Sequence, residues 1–348
     1  MKVAILGSGS IARHHVSGYR AYGAEVVACY DVDEERAQHF AEANGIPRAY
    51  DSMEALFRQE QPDAVSVCAW NAAHKECTIF ALEHGAHVLC EKPMALNAAE
   101  AREMVDAAKR TGKLLQVGFV RRFGRDADTI RDFIANGTLG DIYYAKATYL
   151  RRNGCPGGWF GDKSISGGGP LIDLGVHVID LVRYLAGNPK PVSVYGVTYK
   201  NLGVNRANGG EQAWKIKKGK VKRPYTVEDF ASALIRFDNG LTVSVETSFN
   251  LNCRADTGSF QLYGTKGGMD SYPSLEIFTD VAGQFVNVAP AKPIKFEFEK
   301  AFDAELKGFL EAVEGGECRA TAEDGLMMMK ILDAIYESAE TGHEVLIK

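Results

Sequence analysis

Lys2-Val-Ala-Ile-Leu6 is a short apolar run that stops on Gly7-Ser-Gly9-Ser-Ile-Ala12, and a helix-like stretch follows to about Arg20. A strand that breaks at glycines and restarts as a helix is the opening of a βαβ unit. Outward from it the pattern repeats. Strands are expected at 25–30, 64–69, 86–90 and 114–119, alternating with helices at 34–44, 75–84 and 97–110. Because the strands are apolar almost throughout and single helices separate them, they predict a parallel sheet covered on both faces.

Beyond about residue 120 the texture changes. A helix at 125–136 and a strand at 142–150 precede a glycine-rich loop, 151–169, and then a helix at 170–186. Strand-like pieces follow at 192–199, 230–237, 241–249, 259–263 and 274–278, with the hairpin signal Asp238-Asn-Gly240. Adjacent strands joined by such turns predict a mostly antiparallel sheet. Helices at 301–313 and 322–339 close the chain. The fold class is therefore α/β plus α+β, with one domain at 1–122 and a second at 123–348.

The 348 residues carry a formal charge of −5, which leaves no general positive excess for a phosphate backbone and argues against a nucleic-acid partner. One basic cluster, 215–223, reads as a solvated hairpin or loop. No apolar run reaches the length needed to cross a bilayer, so no membrane partner is expected. The seven cysteines are scattered and form no C-x-x-C pair, which disfavours disulfides and a structural metal and suits a reducing cytoplasm.

Gly7-x-Gly9-x-x-Ala12 has a physical reading. Gly7 permits the tight turn, Gly9 lets a pyrophosphate approach, and Ser10 and Ile11 present free N–H groups at a helix start. Asp31, 19 residues beyond Ala12, ends the second strand, where a carboxylate accepts hydrogen bonds from ribose hydroxyls and repels the extra phosphate of NADP. NAD is the expected cofactor. NADP stays open because Arg36 follows closely. Glu91-Lys92-Pro93 ends the fourth strand, where ligands bind in open α/β sheets, and the proline aims the preceding side chain. Lys92 is thus either a proton-transfer group beside a nicotinamide ring or a solvated surface lysine.

Gly167-Gly-Gly-Pro-Leu-Ile-Asp173-Leu-Gly-Val-His177-Val-Ile-Asp180 stacks Asp173, His177 and Asp180 on one face of a helix that is otherwise apolar almost all round. A buried Asp–His pair is costly unless it is used, and an aspartate orients and activates its histidine. An internal salt bridge is the structural alternative.

These stretches, with Gly118-Phe-Val-Arg-Arg-Phe123, resemble the Gfo/Idh/MocA oxidoreductases, the glucose-fructose oxidoreductase and inositol dehydrogenase superfamily, over nearly the whole chain. The resemblance implies an N-terminal Rossmann domain and a C-terminal open sheet whose exposed face forms a homodimer or homotetramer. It matches Lys92, Asp173 and His177 to the family's catalytic residues, and Asn71 and His74 to a segment bordering the cofactor. That segment reads Ala69-Trp-Asn-Ala-Ala-His74, departing from the usual Thr-Pro-Asn-x-x-His, so Trp70 either lines the pocket or packs in the core. Glu91 and Lys92 are placed beside the cofactor as well.

The expected reaction is oxidation of a secondary hydroxyl of a sugar or cyclic polyol to a ketone. His177 takes the hydroxyl proton, Asp173 holds its imidazole, and Lys92 hydrogen-bonds the reacting oxygen, with the primary base open between Lys92 and His177. Arg121, Trp159 and Lys163 are candidates for substrate contact, each with a packing or surface alternative. The rivals are an NAD-dependent glycosidase that oxidises its sugar transiently and a non-enzymatic NAD(H)-binding regulator.

Overall fold

The computed structural model describes residues 1–203 and 225–348, so the basic cluster lies outside the described residues. The chain forms two compact units. The first holds Met1–Gly124 and Glu297–Met329, the second Arg125–Phe296 and Lys330–Lys348.

In the first unit β1 (Lys2–Leu6), β2 (Glu25–Tyr30), β3 (Arg48–Tyr50), β4 (Ala64–Val67), β5 (His87–Glu91) and β6 (Leu115–Gly118) make one sheet. Its order is β3-β2-β1-β4-β5-β6 and all its pairings are parallel. That order is the dinucleotide-binding one, reversing direction between β1 and β4. Helices α1 (Ala12–Ala21), α2 (Glu34–Asn44), α3 (Met53–Glu60), α4 (His74–Glu83) and α5 (Ala98–Thr111) supply the crossovers. Val3 to Leu6 and Val88 to Cys90 are fully buried, as strands covered on both faces must be.

β3 and α3 were not anticipated. Three residues beginning with an exposed arginine give no strand period, and β3 forms only by pairing with β2 at the sheet edge. The second boundary also differs from a single cut at residue 122. After the stretch from α6 (Arg125–Ala135) to Phe296, the chain returns to the first unit as α9 (Phe298–Val313) and the first turns of α10 (Ala322–Thr341). Leu306 packs on Gly18, where an added Cβ would sit 3.0 Å from its Cγ. Ala320 accepts a 3.0 Å hydrogen bond from Val117 N, which covers the open edge of β6.

The second unit contains β7 (Ile142–Leu150), α7 (Lys163–Ser166), α8 (Val176–Leu185), β8 (Pro191–Tyr199), β9 (Phe230–Phe237) and β10 (Thr242–Ser248). It continues with β11 (Thr257–Gly264), β12 (Gly267–Asp270), β13 (Glu276–Val281), β14 (Gln284–Val288) and, at the end of the chain, β15 (Val345–Leu346). Among the described residues the sheet order is β14-β13-β12-β11-β7-β10-β9-β8-β15. β10 pairs with β7 in parallel; the remaining pairings are antiparallel. Alternation puts Ala145, Val194, Ile235, Val243, Leu262 and Ile277 on the buried face.

Helical residues 163–185, Lys163 to Leu185, are long and apolar enough to cross a bilayer, a run the sequence reading passed over. Burial of 78% of the apolar window inside the unit accounts for that composition without a membrane. All seven cysteines are free, and burial pushes the Cys29 thiol up to about 11.

Candidate functional site

The glycine turn of the first unit is shaped for close approach. Gly7 has φ +98°, and a Cβ there would stand 2.5 Å from Ala69 N, so no other residue fits. At Gly9 a Cβ would meet only Cys68 O, at 3.5 Å, and both Gly9 and Ser10 are exposed. The turn is thus open on the side away from β4. The N-cap of α1, Ile11, makes no side-chain capping bond, and the first turn carries no acidic residue. Amides left for an anion at a dipole's positive end are what a pyrophosphate requires.

Asp31 is 6% exposed, and its carboxylate is already oriented. Oδ2 accepts a 2.9 Å bond from Ser8 N, while Oδ1 accepts from Asp33 N at 3.1 Å and from Arg36 Nη1 at 3.4 Å. The residues present therefore fit a dinucleotide: an open glycine cradle, an unfilled helix start and a fixed carboxylate one strand away. Arg36 reaches Asp31 without any bending of the loop and also pairs with Asp33 at 3.0 Å.

At the carboxyl end of β5, Lys92 is half-buried between Glu91 and Pro93, which are both buried. Glu91 Oε1 lies 3.0 Å from His15 Nε2 and its Oε2 accepts from Lys92 N at 3.2 Å. His15 Nδ1 is 2.9 Å from Ser66 Oγ, which is 2.6 Å from the Tyr19 hydroxyl. Burial alone would raise the Glu91 carboxyl; the His15 hydrogen bond, with the nearby charges of His15, Lys92 and His74, outweighs it and holds the group below its ordinary value. His74 is 1% exposed, with Nδ1 2.7 Å from Pro93 O and Nε2 3.1 Å from Ala69 O. The polar atoms of Glu91 and His74 thus face protein groups. Asn71, 5% exposed, opens a short 3-10 turn after β4, and the neighbouring Trp70 is only half-buried.

In the second unit the helix expected at 170–186 starts as a π turn, Leu171–Gly175, before α8 begins at Val176. Val176 N bonds back to Leu171 O, one residue wider than an α-helical turn. π turns recur at functional positions. The insertion changes which residues share a face: Asp173 and His177 are half-buried, but Asp180 is 1% exposed. The three-residue stack read from the spacing is therefore a half-exposed pair with a buried neighbour below.

What holds this turn was invisible in the sequence. The Glu228 carboxylate accepts from Gly169 N (3.0 and 3.1 Å), Leu171 N (3.1 Å) and the Tyr336 hydroxyl (2.9 Å). Gly168 and Gly169 leave room for those partners: a Cβ on the first would lie 2.0 Å from Tyr336 Oη, and on the second 2.5 Å from Glu228 O. Burial raises the Glu228 carboxyl in spite of these donors.

The substrate candidates are dispersed. Arg121 is half-buried in the 3-10 turn Val120–Phe123 of the first unit. Trp159, in the second unit, has one ring face covered by Phe160, with centroids 3.9 Å apart. Lys163 turns to α10, its Nζ 5.4 Å from the Tyr336 ring and 3.9 Å from Glu340. Among the described residues no group of His, Cys, Asp and Glu is arranged to hold a metal ion.

Sheet order, glycine cradle and fixed carboxylate define a Rossmann-type dinucleotide-binding oxidoreductase with an appended open-sheet unit. The chain belongs to the GFO/IDH/MocA family: residues 1–119 match its NAD-binding Rossmann-fold model and 127–270 its C-terminal domain. D-glucoside 3-dehydrogenase of Escherichia coli K12 is 36% identical over 350 residues, covering 99% of this chain and 97% of that one. 1,5-anhydro-D-fructose reductase of Ensifer adhaerens is 30% identical over 343 residues, covering 97% and 96%. Among solved structures, levoglucosan dehydrogenase in complex with NADH and levoglucosan superposes with a TM-score of 0.85 at 26% identity, covering 100% of this chain and 99% of that one.

Proposed function

We propose that this chain is an NAD-dependent dehydrogenase that oxidises a secondary hydroxyl of a sugar or cyclic polyol to a ketone. The observation that carries the reading is end-to-end similarity to a D-glucoside 3-dehydrogenase in a chain that keeps Lys92, Asp173 and His177. The substrate class can be narrowed. Glucosides, levoglucosan and 1,5-anhydrofructose, which the relatives' names specify, share a sugar ring without a free hemiacetal hydroxyl. A glycoside or anhydrosugar is our substrate assignment.

In this reading NAD, when bound, supplies the hydride acceptor. His177 accepts the hydroxyl proton, Asp173 orients its imidazole, and Lys92 donates a hydrogen bond to the reacting oxygen as it becomes a carbonyl. General acid–base help is worth roughly 10²–10⁴-fold, and that is the loss expected in His177→Ala or Lys92→Met. Gly7, Gly9, Ser10, Ile11 and Asp31 bind the dinucleotide, and Asn71 borders it. The panel that tests this offers NAD or NADP with methyl glucosides, levoglucosan, inositols and free aldoses while absorbance of the reduced cofactor is followed. Full turnover by His177→Ala with intact NAD binding would remove the histidine from the mechanism. Release of an aglycone without net NADH would select the glycosidase.

We also infer that the outer face of the nine-stranded sheet is covered by another copy of this chain. Tyr195 and Leu234 stand opposite each other on it and are 49% and 45% exposed; Phe285, on the same face, is 95% exposed. Exposed apolar surface of this kind marks an association site. The free cysteines support the assignment to a reducing cytoplasm.

A further inference from the structure

We propose that His15 and His74 are positioning residues for Lys92, two buried imidazoles that grip the Glu91-Lys92-Pro93 segment from either side. The inference rests on the proposed role of Lys92 in proton transfer and adds how its side chain is aimed.

The grip is built from two separate crossovers. His15 comes from α1 and reaches the segment through the Glu91 carboxylate, 3.0 Å away. That carboxylate has no slack. Its second oxygen accepts from the Lys92 amide at 3.2 Å, and a Cβ on Gly118 of the neighbouring strand would lie 3.2 Å from both Glu91 Cα and Oε2. His15 is itself fixed by Ser66 on β4, and Ser66 by Tyr19 one turn further along α1. The carboxylate only accepts, so His15 Nε2 donates to Glu91, while Ser66 and Tyr19 hold the far side of the ring.

His74 opens α4 and reaches the other end of the segment. Its Nδ1 is 2.7 Å from the Pro93 carbonyl, and its Nε2 faces the Ala69 carbonyl at 3.1 Å. The ring stands between the loop after β4 and the loop after β5; neutral, it donates to one carbonyl, and the shorter contact is the one to Pro93. Both histidines are 0–1% exposed. What an aliphatic residue lacks is the hydrogen bond to the segment holding Lys92. A reacting group displaced by about 1 Å loses on the order of 10²-fold in rate, so such bonds have a kinetic consequence beyond stability.

Paired variants test this in the full-length protein. His15→Leu and His74→Leu delete the bonds; His15→Gln and His74→Asn keep a donor near the Nε2 and Nδ1 positions. With a methyl glucoside and NAD, each leucine variant should lose about 10–100-fold in kcat, while KM and the NAD dissociation constant move less than about threefold. The amide variants should recover most of the loss. Labelling of Lys92 by an amine-acetylating reagent, read by peptide mass spectrometry without NAD, should change several-fold in the leucine variants and return toward wild type in the amide ones. Wild-type kcat and labelling in the leucine variants, or equal losses in leucine and amide variants, would overturn the proposal. If the leucine variants do not fold, loss of kcat in the folded amide variants with Lys92 labelling unchanged overturns it equally. The proposed role of Lys92 fails separately: Lys92→Met would then turn over normally, whatever the histidine variants do.

Discussion

Glu228 is the residue whose replacement separates geometry from charge. Its carboxyl is raised by burial, so ionisation already works against the folded state, and neutralising the group by itself costs little. Removing the acceptors is different. Glu228→Leu leaves the amides of Gly169 and Leu171 and the hydroxyl of Tyr336 without the oxygens they now donate to. At about 1 kcal/mol each, the low end for an orphaned buried donor because Tyr336 is only half-buried, the loss is about 3 kcal/mol. Leucine fills most of the volume, so no large cavity adds to it. Glu228→Gln keeps one oxygen in place and should cost less than about 1 kcal/mol. For a unit of this size the two figures correspond to falls in Tm of about 6–12 °C and at most about 4 °C. Differential scanning calorimetry at neutral pH measures both. Because the Gly169 and Leu171 amides open the π turn that carries Asp173, kcat should fall at least about tenfold in Glu228→Leu and remain close to wild type in Glu228→Gln. Equal destabilisation by the two substitutions would refute the reasoning, since it would make charge and not acceptor placement the stabilising element.

Gly9→Val should abolish NAD binding, measured by calorimetric titration, with Tm nearly unchanged, because its Cβ would make only an ordinary 3.5 Å contact with Cys68 O. Asp31→Ala should raise the NADP-to-NAD ratio of kcat/KM by about 10–100-fold, since the repelling carboxylate is gone and Arg36, now 3.4 Å from it, keeps only its pairing with Asp33. His74 gives a pH signature. Burial outweighs its two carbonyl contacts and holds it below 6.5, so the unfolded chain takes up a proton first as pH falls, and stability declines from about pH 6.5 downward. His74→Asn should flatten that limb in urea unfolding at pH 5 to 7; an unchanged slope would show that other groups set it. Leu234→Arg should shift light scattering toward a smaller species if the outer sheet face joins copies.

Much of the first unit was legible because its strands are buried on both faces. Runs such as Val3–Leu6 announce themselves by composition, and the glycine turn by residue identity. β3 escaped because an edge strand of three residues is defined by its partner and not by its own pattern. The helix at 170–186 was legible as buried and apolar. Its π turn was not, since one extra residue per turn leaves no mark in composition and only regroups Asp173, His177 and Asp180.

The sequence by itself determined the parallel sheet, the dinucleotide cradle at Gly7 and Gly9, and the residue types available for proton transfer. Those features depend on local chemistry: positive φ, apolar periodicity, a carboxylate at a strand end. Tertiary structure alone decided what holds the candidate residues. Glu91 meets His15 across 76 positions and Gly169 meets Glu228 across 59, and only the packed fold brings such partners within hydrogen-bond reach. The triple glycine shows the difference plainly. Its residues signal close approach, but it took the folded unit to show that Tyr336 and Glu228 are what approaches.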